Sequence, residues 1–451
     1  MLLNKIRTSS LVKYLASLGT GIALYGGYNF KKSVVEPIHY SDTATGLAAG
    51  LATERLSEER ARKELDLPCL RDVPDGQQKP DCILVAWGSG AANITYQSTI
   101  AEAIERETQT PIANAADCVV GVSSGAFMAI GMSIQKSDGA VRYSAQEATR
   151  LFQQYKTIFM PAMTDSLNRS AYRQAFNEAV EAYNLKDANF SDKTATGDAT
   201  LASMFGPEVR LTDIPCTAAT AAKLDPYQDY TVFGHIPTKD GSGLYPETQN
   251  EQAWRVVRAS QSNSTIMGAY PVAHSHYTDV GTTAPILPLA VKLYKQLAPG
   301  QELHVIIANG PMDVRSISSN EFNKHIRVEF TGLGRAALST PNAVRGAAVL
   351  LQAAQIAAHK TNTDSLRNLG SNVKVYDLTY YRTDSSQPAV PDSKNVKPSY
   401  TASIGLAQWA VSKDGSLHET FKRVVAAILR NKSPKRNIER PSNPASTLTP
   451  G

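Results

Sequence analysis

The chain has 451 residues, 42% of them hydrophobic and 19% charged, with a formal net charge of +5 at pH 7. That length and apolar fraction allow a large buried core, and they favour one large α/β domain with appendages over several small domains. So small a charge for this length, part of it carried by the termini, gives nucleic-acid binding no support.

The N-terminus is basic and then apolar. Met1 to Lys13 contains Lys5, Arg7 and Lys13 and no acid, and Glu36 is the first acidic residue. Tyr14 to Tyr28 is apolar and small, and Lys31-Lys32 closes it. About 15 to 18 residues fall short of the about 20 that a spanning helix needs. The segment suits the apolar region of a signal peptide, although no clean A-x-A site follows. Gly19, Gly21, Gly26 and Gly27 also suit close packing of an uncleaved anchor. The basic, Ser/Thr-containing and acid-free character also suits a mitochondrial-type presequence, and the expectation is a membrane-targeting or signal-like segment over residues 1–35, exported or anchored, with the compartment open. Residues 36–80 follow as a connecting helix (Leu51, Leu56, Ala61 and Leu65 at helical spacing) and a Pro/Gly linker from Arg71 to Pro80.

Cys82 to Ala86 reads as a short buried strand, and Trp87-Gly88-Ser89-Gly90-Ala91-Ala92-Asn93 leads into a helix with Ile100, Ala103 and Ile104 apolar. A small-residue loop at a helix N-terminus presents backbone N–H groups that can stabilise an oxyanion. Next comes Cys118-Val119-Val120-Gly121-Val122-Ser123-Ser124-Gly125, an apolar run that turns at once into an Ala/Ile/Met-rich helical pattern. That is the strand–turn–helix setting of a nucleophile elbow: Ser123 at the tip, with Gly121 and Gly125 small enough for strand and helix to pack closely. Residues 136–190 alternate apolar and charged positions at helical spacing and are expected to form a helical insertion covering the active-site side.

Tyr277-Thr278-Asp279-Val280-Gly281 precedes a helix over Ala284 to Lys295, which places Asp279 at an element end where a carboxylate can face the serine. His304 to Ala308 and Val373 to Tyr376 read as further strands, with helices at Asn342–Lys360 and Leu417–Leu429 and a Pro/Ser/Asn-rich tail at 431–451. His274 and His276 read as exposed loop residues. The chain contains no H-E-x-x-H, paired C-x-x-C, EF-hand or G-x-x-x-x-G-K-[ST] pattern, so neither a metal nor a nucleotide cofactor is expected. Cys69, Cys82, Cys118 and Cys216 show no close spacing; Cys82 and Cys118 are read as small core hydrophobes, which leaves the redox compartment open.

The loop at Gly88, the elbow at Ser123 and the aspartate at Asp279, in that order, resemble the patatin-like phospholipases. Trp254 to Pro271 is similar to that family's lead-in to its aspartate, and Ala284-Pro285-Ile286 to the segment after it. The likeness covers roughly residues 80 to 300. It implies a three-layer α/β/α patatin-like domain with a central, mostly parallel sheet and helical insertions. That domain would span 81–430, with core motifs in 82–300 and further strands and helices in 301–430. It also implies a Ser123–Asp279 dyad, with Gly88, Ser89 and Gly90 supplying the oxyanion hole. The substrate class implied is carboxylic esters of membrane lipids, hydrolysed through an acyl-enzyme at a membrane surface. The chain departs from the family in lacking a cation in the Gly88–Asn93 loop and in carrying Val280 where glycine is usual. Two alternatives stand beside it. One is an α/β-hydrolase triad completed by His418, with Asp377 as its acid; the other is a weak or inactive membrane-bound family member.

Overall fold

The computed structural model describes residues 58–89, 93–151, 201–224, 227–262, 270–273, 275–279, 286–314, 356–391 and 396–431. The targeting segment, Gly90, most of the 136–190 insertion, His274, Val280 and the tail after Asn431 lie outside the described residues. Backbone contacts divide the chain into two units, 1–50 with 314–357 and 51–313 with 358–451. The sheets and helices named here all belong to the second.

The strands are β1 (Cys82–Trp87), β2 (Cys118–Val122), β3 (Thr217–Leu224), β4 (Tyr227–His235), β5 (Tyr270–Val272) and β6 (Ser275–Thr278), followed by β7 (Leu303–Ala308), β8 (Met312–Asp313), β9 (Val373–Asp377) and β10 (Tyr381–Arg382). The main sheet runs β5-β6-β3-β2-β1-β7-β9, with β4 paired to β3, while β8 and β10 form a separate small ladder. β3, β2, β1, β7 and β9 are mutually parallel. β4 and β6 join β3 antiparallel. The fold is therefore α/β with a mostly parallel mixed sheet, as expected.

The central strands carry near-continuous apolar runs because both faces are covered. β1, β2 and β7 are buried at every position, which is the signature of interior parallel strands. Alternate residues then serve opposite layers. Ile83, Val85, Trp87, Val119, Ile306 and Ala308 pack with α1 (Asn93–Thr108), α2 (Ser124–Gly131) and α3 (Ala253–Ser260). Leu84, Ala86, Val120, Val122, Val305 and Ile307 pack with α4 (Ile286–Tyr294) and with Leu366 of α5, the helical residues 358–367. α6 (Val396–Val411) and α7 (His418–Asn431) complete the first layer, bringing Leu406, Ala407, Phe421 and Val424 into it.

From β1 the chain steps to β2 and β3 on one side, then returns to β7 and β9 on the other. The strand order thus reverses between β1 and β7. In open parallel sheets, the carboxyl ends of the strands at such a switch point form the crevice where ligands bind.

Two expectations need correction. The helical periodicity read as far as Leu65 stops earlier: the described helix is Glu58–Arg62, and Leu65 sits in an isolated bridge with Thr238. The cysteines are not free core residues. Cys69 is bonded to Cys82 and Cys118 to Cys216, with Cα–Cα distances of 5.2 and 4.7 Å. Sequence spacing hid the pairs because the fold makes them: parallel pairing of β2 with β3 brings the starts of those strands side by side.

The two bridges close loops of very different length, with sequence separations of 98 for Cys118–Cys216 and 13 for Cys69–Cys82. Loop-closure entropy alone gives about 4.7 kcal/mol for a loop near the first length and about 3 kcal/mol near the second. Paired Cys→Ala replacement at 118 and 216 is therefore expected to lower the unfolding free energy more than replacement at 69 and 82. Denaturant titration of the two variants checks the order, and the reverse order would overturn the loop-entropy account.

Candidate active site

β2 ends at Val122 and α2 begins at Ser124, so the chain reverses through one residue. That residue, Ser123, has φ 55° and ψ −121°, a left-handed backbone that non-glycine residues rarely adopt. Such a conformation costs about 1–3 kcal/mol and persists only where the surroundings enforce it. The enforcement is visible. A Cβ at Gly121 would lie 2.0 Å from the Gly125 carbonyl oxygen. A Cβ at Gly125 would lie 2.1 Å from the Trp87 carbonyl oxygen and 2.5 Å from that of Gly88. Neither position tolerates any side chain. Ser123 itself is 8% exposed, and its hydroxyl does not cap the helix that follows. The Ser123 amide instead donates to Ser260 Oγ at 2.9 Å, and Ser260 Oγ donates to the Thr220 carbonyl at 2.7 Å.

The steric contact at Gly125 brings the turn after β1 against the elbow. Gly88 is buried, and its own N–H donates to the Ala308 carbonyl at 3.0 Å, as a continuation of the β1–β7 ladder. Its amide is therefore committed to the sheet and is not among the oxyanion donors; Gly90, another of the expected donors, lies outside the described residues. Gln97 of α1 donates to the Gly88 carbonyl at 2.8 Å and to the Ala308 carbonyl at 3.2 Å, fixing the turn from below.

Asp279 follows β6, half-buried. β6 and β2 lie end to end along one edge of β3, because β4 occupies the other. Val122 pairs with Thr220, and Thr278 pairs with Ala222, so one further step along each strand brings Ser123 and Asp279 to the same stretch of β3, beside Ala221. The end of α3 ties both down: Ser260 holds the Ser123 amide, and the Ser262 carbonyl accepts from the Asp279 amide at 2.9 Å and from Thr278 Oγ1 at 2.7 Å. Sequence reasoning passed over Ser260 and Ser262 as members of a lead-in segment. Small hydroxyl residues at a helix end were the available signal.

The triad alternative is not assembled. His418 opens α7, where Nδ1 bonds the Val411 carbonyl at 3.1 Å, and it lines a groove of about 450 Å³ with Glu102, Arg106 and Lys422 on the helical layer. Asp377 has a different partner: its Oδ2 lies 2.9 Å from Nε2 of His359, a buried histidine that the sequence reading did not single out. Burial works to raise the Asp377 carboxyl. The hydrogen bond from His359, with hydrogen bonds from Thr379, more than offsets it and holds the group below the ordinary carboxylate value.

Among the described residues, one other group has the composition of a cation site. His304, fully buried, lies with Nε2 3.4 Å from Asp81 Oδ2 and 3.6 Å from Glu302 Oε2, and with Nδ1 3.0 Å from the Tyr376 hydroxyl. Asp81 and Glu302 precede β1 and β7, so the cluster sits at the amino ends of the strands, opposite the elbow. Cys69, Cys82 and Asp117 also converge, but both sulfurs are spent on the disulfide.

Comparison with known proteins narrows the reading little. No family model matches the chain, and no curated protein matches it. One similar solved structure is that of human GIVD cytosolic phospholipase A2 in complex with methyl gamma-linolenyl fluorophosphonate. The likeness covers 86% of this chain and 61% of that one, at 10% identity and a TM-score of 0.27. The chain thus spans about three-fifths of that neighbour's length, and so low a score adds nothing to the argument from the site.

Two outcomes follow from these contacts. Gly125→Ala is expected to cost about 3 kcal/mol, because its methyl group would overlap backbone carbonyls that cannot move aside. Gly405→Ala, on an exposed stretch of α6 with nothing within 4 Å, is expected to gain about 0.5–1 kcal/mol. Denaturant titration of both variants reads the contrast, and similar values would refute the steric account of the elbow.

The second outcome concerns acid. The folded-state value of Asp377 lies below its unfolded one, so its stabilisation is full above the unfolded carboxylate value of about 4 and is lost as pH falls through the folded value. The Tm gap between wild type and Asp377→Asn is expected to be level above about pH 5 and to narrow below about pH 4. A gap unchanged at about pH 3 would remove Asp377 as a charged contributor.

Proposed function

We propose that the chain is a serine acyl hydrolase acting on carboxylic esters of lipids, with Ser123 as nucleophile and Asp279 as base. The observation that carries this reading is the enforced left-handed backbone at Ser123, placed at the carboxyl end of a central parallel strand. Strain of this kind is retained where a side chain must be aimed, and here it lifts a hydroxyl out of the strand line at the end of the sheet where ligands bind.

In the proposed reaction, Ser123 Oγ attacks the ester carbonyl carbon while its proton passes to the Asp279 carboxylate. The carbonyl oxygen becomes an oxyanion held by backbone amides of the turn that follows Gly88. Collapse of the intermediate breaks the ester C–O bond, and the leaving alkoxide takes the proton from Asp279. Water then attacks the acyl-serine, giving its proton to the same carboxylate, and Ser123 leaves with that proton as the free acid departs. The commitment of the Gly88 amide to Ala308 favours a second reading, a slow or inactive member of such a family that acts through its membrane segment.

The setting is part of the proposal. Two buried disulfides form and persist in oxidising compartments. They suit a chain exported or anchored by its apolar N-terminal segment and working at a membrane surface. Among the described residues, no helix is long and apolar enough to cross a membrane.

A fluorophosphonate probe tests the chemistry without knowledge of the substrate, since only an activated serine reacts. Wild type is expected to be labelled at Ser123, with labelling abolished in Ser123→Ala and reduced by about a hundredfold or more in Asp279→Asn. A folded wild type that takes no label would overturn the hydrolase reading. Undiminished labelling of Asp279→Asn would remove the dyad.

A further inference from the structure

On the side of β1 away from Ser123, the carboxyl ends of β7 and β9 meet α5 in a buried chain of three polar side chains. Asn309 follows β7, Asp377 ends β9, and His359 projects from α5. Nδ2 of Asn309 lies 2.6 Å from Nδ1 of His359, and Nε2 of His359 lies 2.9 Å from Oδ2 of Asp377. Asn309 is 7% exposed and His359 4%. The backbone around the chain is braced as well. The Thr379 amide donates to Asp377 Oδ1 at 3.0 Å, and the Asn309 amide donates to Thr379 Oγ1 at 3.1 Å. Thr363 Oγ1 donates to the His359 carbonyl at 2.8 Å.

These donors and acceptors fit together in one direction. Asp377 accepts from Nε2–H of His359, which leaves Nδ1 as the acceptor for Asn309 Nδ2–H. That bond turns the other end of the carboxamide towards the switch point. Oδ1 of Asn309 occupies the place where a side chain at Gly88 would begin, only 1.4 Å from the position of a Cβ there. Gly88 in turn presses its carbonyl against the place a Cβ of Gly125 would take. The contacts therefore run without a gap from Asp377 through His359, Asn309 and Gly88 to the glycine two residues after Ser123.

Burying three polar side chains is costly unless each is satisfied, and an apolar trio would fill the same space at less risk. The Ser–Asp reading gives none of them a task. We infer that Asn309, oriented by the buried His359–Asp377 pair, positions the Gly88–Ser89 turn against the Ser123 elbow. The three are positioning residues for the acyl transfer, and this inference rests on the function proposed above. The effect reaches the reacting atoms only through the turn. A displacement of one ångström at an oxyanion site is enough to cost orders of magnitude in rate.

The test uses the full chain with Asn309→Leu, which keeps the volume and removes the polar ends, and with Asp377→Asn. Two quantities are read: probe labelling of Ser123 against probe concentration, and hydrogen exchange of the Gly88 and Ser89 amides. Both variants are expected to lower the labelling rate at saturating probe by about tenfold or more, with the half-saturating concentration little changed. The Gly88 and Ser89 amides should exchange about tenfold faster, while those of Val119 to Val122 keep wild-type protection. A purely structural role would lower Tm and leave the saturating rate and the local exchange of the folded protein unchanged, and that result would overturn the inference. If Asn309→Leu does not fold, His359→Gln replaces it, with the same expectations. If the wild type takes no label, the hydrolase reading fails by itself and exchange alone decides the positioning. Faster exchange confined to Gly88–Ser89 upholds it, and unchanged exchange overturns it.

Discussion

The architecture of the site depends on one close approach of backbone to backbone, Gly125 against the carbonyls of Trp87 and Gly88. No residue with a Cβ fits there, since that atom would come within 2.1 Å of an oxygen. Because strand β1 and helix α2 can touch at this point, the chain leaving β2 must reverse in a single residue, and Ser123 takes the strained conformation that such a reversal requires. The turn after β1 is drawn to the serine by the same contact. One steric fact thus accounts for both halves of the site, the aimed hydroxyl and the backbone beside it.

Why the site lies at this end of the sheet follows from topology. The strand order reverses between β1 and β7, so the loops after these strands diverge and leave a crevice. Trp87, Val85 and Ile83 pack one face of β1 into the α1 and α2 layer, while Leu84 and Ala86 pack the other. With both faces buried, β1 cannot shift, and the residues just beyond it inherit that rigidity. Polar groups appear where the apolar strands stop: Gln97 beneath Gly88, Asn309 beside it, and Ser260 behind the elbow. At the amino ends of the same strands, the Cys118–Cys216 and Cys69–Cys82 bridges hold the sheet by covalent means.

Much of this was legible in the amino-acid order, and what was not has a physical cause. The buried strands at 82, 118 and 304 announce themselves as short apolar runs, because parallel strands covered on both faces need little polar alternation. Gly121 and Gly125 are legible for the same kind of reason, as a local steric requirement leaves a local trace. Pairings across long separations leave none. Cys118 and Cys216 are joined by strand register, and His359 meets Asp377 only because α5 packs beside β9. Reading Asp377 with His418 went astray on this point: the nearer histidine in space precedes the aspartate in the chain. Asn309, following an ordinary buried strand, carries no motif at all.

The two acids at the carboxyl end of the sheet differ in what they can offer a serine, and the difference bears on which chemistry the site supports. Asp377 is paired with His359, and a histidine behind a carboxylate is the usual base for a serine nucleophile. Yet both ring nitrogens of His359 are engaged, Nε2 by Asp377 and Nδ1 by Asn309, and the ring has no third atom to turn towards Ser123. β1 and β2 set the pair on the far side of the Gly88 turn from Ser123, whereas Asp279 is tied through Ser262 to the same helix end that holds the Ser123 amide. A carboxylate acting alone is a weaker base than imidazole, so it needs its geometry fixed and its partner amides well placed. Under the proposed acyl transfer, the histidine is kept for the second of those needs, bracing the turn from behind, and the proton transfer falls to the carboxylate on the serine's own side of β1.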